Sequence, residues 1–199
     1  YVLNNLFMNT LGNYQLKVHS ALIHNLNTIE KFQAKEKFGF RELIKPLSSL
    51  NMTYPSAAFF KHMEEHTDKP YSGSINDLHG KDGLRNTMNF ETSTGLYGVS
   101  FNYEYKPQVL EKYGKIFSLE HIGKYSCKIE AICKAIQNST GIILVYSRYL
   151  EGGLLPLALA LEEMGISRYS YSSHVQSFLK EKQPVLNPLT MKAKTAKDE

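Results

Sequence analysis

The stretch Gly141-Ile142-Ile143-Leu144-Val145-Tyr146-Ser147-Arg148-Tyr149-Leu150-Glu151-Gly152-Gly153-Leu154-Leu155-Pro156-Leu157-Ala158-Leu159-Ala160-Leu161-Glu162-Glu163-Met164-Gly165 decides the fold class. Its opening run, Ile142 to Tyr146, is apolar and rich in β-branched side chains, as in a parallel strand buried on both faces. Gly152 and Gly153 follow, then a helix from Leu154 to Met164, with Pro156 tolerated in its first turn and Gly165 as its terminator. Upstream, Ser126 is placed to cap a helix that carries Ile129, Ile132 and Ile136 on one face, and Asn138 to Gly141 make a turn. Downstream, Ile166 to Tyr171 reads as the next strand. Helix, strand, helix, strand with short turns predicts an α/β fold with a parallel sheet, flanking helices and a right-handed crossover.

Further toward the N-terminus, Val18, Leu22, Leu26, Ile29 and Phe32 recur at helical spacing, which predicts one long amphipathic helix from Asn13 to about Lys35. Ser48 to Tyr54 is expected to be extended because Pro55 disfavours the helical region before it. A short helix is expected from Ala57 to about His66. Thr67 to Tyr105, sprinkled with glycine, serine, asparagine and aspartate, reads as a linker or variable loop. Pro107 starts a helix that ends near Gly114, and Phe117 to Gly123 connects to the next unit. The tail after Gln183 has too few apolar residues to order itself.

Composition narrows the class without naming a function. The 199 residues, 42% hydrophobic and 21% charged, suit one ordinary domain or two partial ones. No run approaches the roughly 20 apolar residues of a membrane helix. A net charge of +4 is compatible with a polyanion partner but is shared by many domains that never meet one. Tyr1 to Asn5 has neither an initiator Met nor a signal-peptide order, so the chain reads as the middle of a longer one. Cys127 and Cys133 fall on different faces of the predicted helix, so no disulfide and a reducing intracellular compartment are expected.

The segment Gly141 to Gly165 resembles the opening of the second RecA-like lobe in superfamily 2 helicases of the nucleocytoplasmic large DNA viruses. These are DEAD/SNF2-like enzymes related to poxvirus early transcription ATPases. Three more stretches resemble the same family in the same order: Met8 to Gln15, Gly80 to Arg85, and Ile122 to Ile129. The resemblance implies a partial RecA-like lobe preceded by a long helix and a linker region. Residues 1–66 would end the first lobe, 67–121 would be a linker or insertion, 122–182 would start the second lobe, and 183–199 would be a mobile tail. It also implies an ATP-dependent helicase or translocase that uses ATP and Mg2+. Its partners would be nucleic acid, DNA ahead of RNA with the choice between them left open, the rest of the helicase and viral transcription machinery, with no membrane. The location implied is a viral factory in the host cytoplasm or the virion.

The phosphate-binding pattern G-x-x-x-x-G-K-[ST] is absent, since Asp82 follows Gly80-Lys81, and no acidic box of the DEAD kind occurs. This chain alone therefore has no assigned catalytic residue, and ATP hydrolysis falls to other segments of the parent. The resemblance puts Ser147 and Arg148 at a nucleic-acid backbone, and Gly152 and Gly153 before a helix whose free amides suit a phosphate. The plainer alternative makes Arg148 a solvated cation, Ser147 a cap and the glycines turn-formers.

Other candidates are weaker. His62, Glu65 and His66 fit H-x-x-E-H, but no third zinc ligand has the right spacing. No G-x-S-x-G elbow occurs. Tyr169 and Tyr171 alternate in a way that suits base stacking or simply a strand face. Beside the helicase reading stands a noncatalytic interaction module, or split-gene remnant, that binds a partner protein; a zinc hydrolase is third. Half a parallel sheet would leave edges unpaired, so a marginal or aggregation-prone chain is expected.

Overall fold

A computed structural model of the chain describes residues 7–28, 40–65, 70–95, 98–168, 177–181, 184–187 and 190–193. Helix α1 (Asn13–Thr28) buries Tyr14, Val18, Leu22 and Leu26, the stripe its spacing predicts. The expected extension through Ile29 and Phe32 lies outside the described residues. Gln15 is fully buried on the same face, and both ends of its amide are used. Its Nε2 donates to the Ser49 carbonyl at 2.9 Å, and its Oε1 accepts from the Cys127 amide at 3.2 Å.

Helix α2 (Phe40–Ser49) runs through Pro46 and includes Ser48 and Ser49, which the sequence reading counted as extended. Extended backbone begins at Met52. There Thr53 donates to the Tyr125 carbonyl through both its amide and its hydroxyl, and the Tyr54 amide donates to Leu78. Helix α3 (Ala57–Glu64) starts at Ser56, whose hydroxyl accepts from the Phe59 amide. Tyr14, Tyr54, Phe59, Phe117 and Tyr125 make an aromatic centre with edge-on contacts of 5.5 to 6.4 Å between Tyr14 and Tyr125 and between Tyr54 and Phe117.

The glycine-rich stretch read as a linker holds regular structure. After a 3-10 turn (Asn76–Leu78) come helix α4 (Gly80–Thr87) and a hairpin of β1 (Met88–Gly95) and β2 (Gly98–Tyr105). Gly83 answers to close packing rather than to looseness: a Cβ there would stand 2.4 Å from the Tyr54 ring. The hairpin register pairs Phe90 with Tyr103 and Thr92 with Phe101, so these four share one face. Segment 177–181 lies beside β2, with Tyr103 donating to Phe178 at 2.6 Å and Lys180 to Tyr103 at 2.9 Å.

Helix α5 (Pro107–Tyr113) ends at Gly114, whose φ of 70° suits a glycine cap, as expected. Short helix α6 (Ile122–Tyr125) leads to α7 (Cys127–Gln137), where the Ser126 hydroxyl accepts from the Ile129 amide at 3.0 Å in the predicted cap. A π-turn (Leu150–Leu154) opens α8 (Leu155–Glu163), which packs on α7 and ends before Gly165 with φ 91°. Cys127 and Cys133 are both free; burial pushes the Cys133 thiol up to about 11, so it packs as a small apolar group. A second small hairpin, β3 (Leu186–Asn187) with β4 (Lys192–Ala193), gives part of the tail structure, anchored by the Leu186 amide on the Gly165 carbonyl at 2.7 Å.

The expected fold class does not hold. Among the described residues the sheets are two antiparallel pairs, and no parallel sheet of a RecA-like lobe is present. Ile142 to Tyr146 forms no strand and joins no ladder; Ile142, Leu144 and Tyr146 are 103%, 92% and 87% exposed. Ile166 to Arg168 likewise forms no strand, and Tyr169 to Tyr171 lie outside the described residues. The physical reason is pairing: β-branched residues favour extended backbone, but a sheet needs neighbouring strands, and the long strands here pair with each other. No helix among the described residues is long and apolar enough to cross a membrane.

Candidate nucleic-acid interface

The turn from Ser147 to Leu154 is built by local hydrogen bonds. The Tyr149 amide donates to Ser147 Oγ at 3.2 Å, a hydroxyl-capped turn, and the Leu154 amide reaches the Tyr149 carbonyl at 2.9 Å to close the wider π-turn. Arg148 stands exposed at the tip. Both glycines are buried for steric reasons. A Cβ on Gly153 would meet Ser147 Oγ at 2.6 Å; one on Gly152 would meet Ser48 Oγ at 2.5 Å and the Gly80 Cα at 3.9 Å. Of the four site residues taken from the sequence, Ser147, Arg148 and Gly153 therefore line one cleft, while Gly152 faces the opposite way, toward α2 and α4.

That cleft, about 310 Å³, runs between the turn and α7. Ile129, Ile132 and Leu157 supply an apolar floor, and Lys128, Arg148 and Asn51 supply the polar rim. Lys128 Nζ donates to Asn51 Oδ1 at 2.6 Å, which holds the ammonium at the rim. Two cations and no carboxylate among the described lining residues give the cleft a positive character suited to phosphate. Sequence spacing alone misses Lys128 and Asn51, because the bond between them spans 77 residues.

The four stretches quoted for the resemblance meet in space as two joined pairs. Met8 to Gln15 packs on Ile122 to Ile129: Gln15 binds Cys127, the Tyr14 and Tyr125 rings touch, and a Cβ on Gly12 would stand 3.2 Å from the Gly123 carbonyl. Gly80 to Arg85 packs on the Gly141 to Gly165 stretch at Gly152, and α7 packs on α8 to link the pairs.

No metal site supports the zinc alternative. His62 packs on the Tyr71 ring at 5.4 Å, His66 lies outside the described residues, and no group of metal-binding side chains occurs among the described residues. His79 is half-buried, its Nε2 atom is buried without a hydrogen-bond partner, and desolvation holds the imidazole down at about 4, with Lys45 adding to the effect. It pairs with Thr53 in an isolated antiparallel bridge and does not line that cleft.

Against protein-family models, curated proteins and solved structures, the chain finds no match.

Proposed function

We propose that this chain is a nucleic-acid-contacting segment of an ATP-dependent helicase or translocase of the large-DNA-virus kind, with ATP and Mg2+ handled elsewhere in the parent. The carrying observation is the meeting of Lys128 and Arg148 on one cleft whose described lining residues include no carboxylate. Each comes from a different stretch of the resemblance. Ser147 shapes the tip that presents Arg148, and the apolar floor leaves the cations to face the backbone of a strand. In this reading the parent works on viral DNA beside transcription machinery, in a viral factory or virion.

The test is fluorescence anisotropy of labelled single-stranded DNA with the 199-residue chain over a salt series. Each phosphate contact contributes about 0.7 to the slope of log affinity against log salt on a single strand, so K128A with R148A should lower the slope by about 1.4. An unchanged slope would refute the site. ATP hydrolysis by this chain alone would refute the division of labour.

A second reading, a noncatalytic module that binds a partner protein, is favoured by the exposed apolar side chains Ile142, Leu144 and Tyr146 on a run that joins no strand among the described residues. Charged substitutions at Leu144 would abolish partner capture in that case and leave the salt slope on DNA untouched.

A further inference from the structure

A second cleft, about 520 Å³, lies on the other side of the π-turn, and Leu154 lines both clefts. One wall is the hairpin face carrying Phe90, Phe101 and Tyr103; the floor is Leu84, Leu150, Leu155 and Ala158. Phe90 and Phe101 are 42% and 40% exposed, so flat aromatic surface remains open to a ligand. Three cations line the same space: Lys81 and Arg85 from α4, and Arg168 after α8. Arg85 lies over the Phe90 ring at 5.5 Å and Arg168 over the Phe178 ring at 4.7 Å, so each guanidinium is steadied on an aromatic face. Among the described residues none of the three has an ion-pair partner. Among the described lining residues Glu151 is the one carboxylate.

We infer that this cleft takes an unstacked nucleotide, the base against Phe90 and Phe101 and the phosphates on Lys81, Arg85 and Arg168. The inference rests on the nucleic-acid reading above and adds a base-binding site to a backbone contact. Aromatic walls beneath a cationic rim are the combination used to hold single strands, where stacking tolerates any base. The volume falls within the roughly 300–1,000 Å³ of small-ligand sites. Glu151 argues for a base over a hydrocarbon chain: a carboxylate beside an apolar wall is a liability for an acyl chain but an acceptor for an exocyclic amine. The shared Leu154 gives a strand a continuous path, backbone at Arg148 and Lys128 on one side of the turn, base on the other.

The experiment compares a short single-stranded DNA carrying 2-aminopurine with an abasic strand of equal length and charge, both bound to the full 199-residue chain. The intact strand should bind roughly tenfold tighter, with 2-aminopurine fluorescence rising as the base leaves its neighbours in the strand. F101L, which keeps an apolar side chain on the hairpin, should erase most of that preference and the rise in fluorescence. K128A with R148A should weaken both strands by one common factor. Equal affinity for the intact and abasic strands overturns the base site and leaves the backbone contact standing. A preference that survives both F90L and F101L also overturns it, because the base would then be held elsewhere. No binding of either strand overturns both readings. Free 2-aminopurine nucleoside monophosphate provides the last arm: binding as tight as the strand's would mean a free-nucleotide site and overturn the strand assignment. Much weaker binding supports that assignment.

Discussion

Glu162 holds the wall of the second cleft, and removing its carboxylate should release that wall. The side chain is 6% exposed and accepts three bonds from one segment: from the Phe178 amide at 2.9 Å, from the Leu179 amide at 2.8 Å, and from the Ser177 hydroxyl. That segment in turn pairs with β2 through Tyr103 and carries Phe178, on which Arg168 stacks. A buried donor stripped of its partner costs about 1–3 kcal/mol, so E162A should cost about 3–5 kcal/mol once the hydroxyl turns to water and the segment relaxes. E162Q keeps one acceptor oxygen and should cost about half as much. Urea unfolding gives the energy. Amide hydrogen exchange gives the place: Phe178, Leu179 and Tyr103 should lose protection before α7 does. If E162A unfolds within about 0.5 kcal/mol of the parent and the Phe178 and Leu179 amides stay protected, the clamp does not exist.

G152A should destabilise the chain by about 1–3 kcal/mol, because its Cβ would sit 2.5 Å from Ser48 Oγ; adding S48A should restore most of the loss, and a chemical-denaturation double-mutant cycle without that coupling would remove the steric explanation. For His79 the folded value of about 4 lies below the unfolded 6.5, so the unfolded chain binds the proton first as pH falls. Its contribution is therefore whole above about pH 6.5 and drains away toward pH 4, roughly 1–3 kcal/mol with solvent screening included. H79N should flatten the pH dependence of the melting temperature in that window relative to the parent; parallel curves would show that another group carries it.

The sequence by itself determined the features that rest on neighbours along the chain. The α1 stripe of Val18, Leu22 and Leu26, the Ser126 cap, the Pro107 start and the glycine stops at Gly114 and Gly165 were legible because helical spacing, capping and positive φ are local properties. The same holds for Ser147, Arg148 and Gly153, which sit within one turn and share a cleft. What the sequence left undecided depends on partners far away. Ile142 to Tyr146 specifies extended backbone but not a neighbouring strand, so the parallel sheet did not follow from it. Glycines between residues 73 and 98 look like a linker until Tyr54 is seen to occupy the space a Gly83 side chain would need. Lys128 joins Arg148, and Phe101 joins Arg168, only because packing α7 on α8, α4 on the π-turn and β1 on α4 brings distant residues to the same two clefts. Tertiary structure decided those meetings, since a charge or an aromatic ring carries no local sign of what it will face.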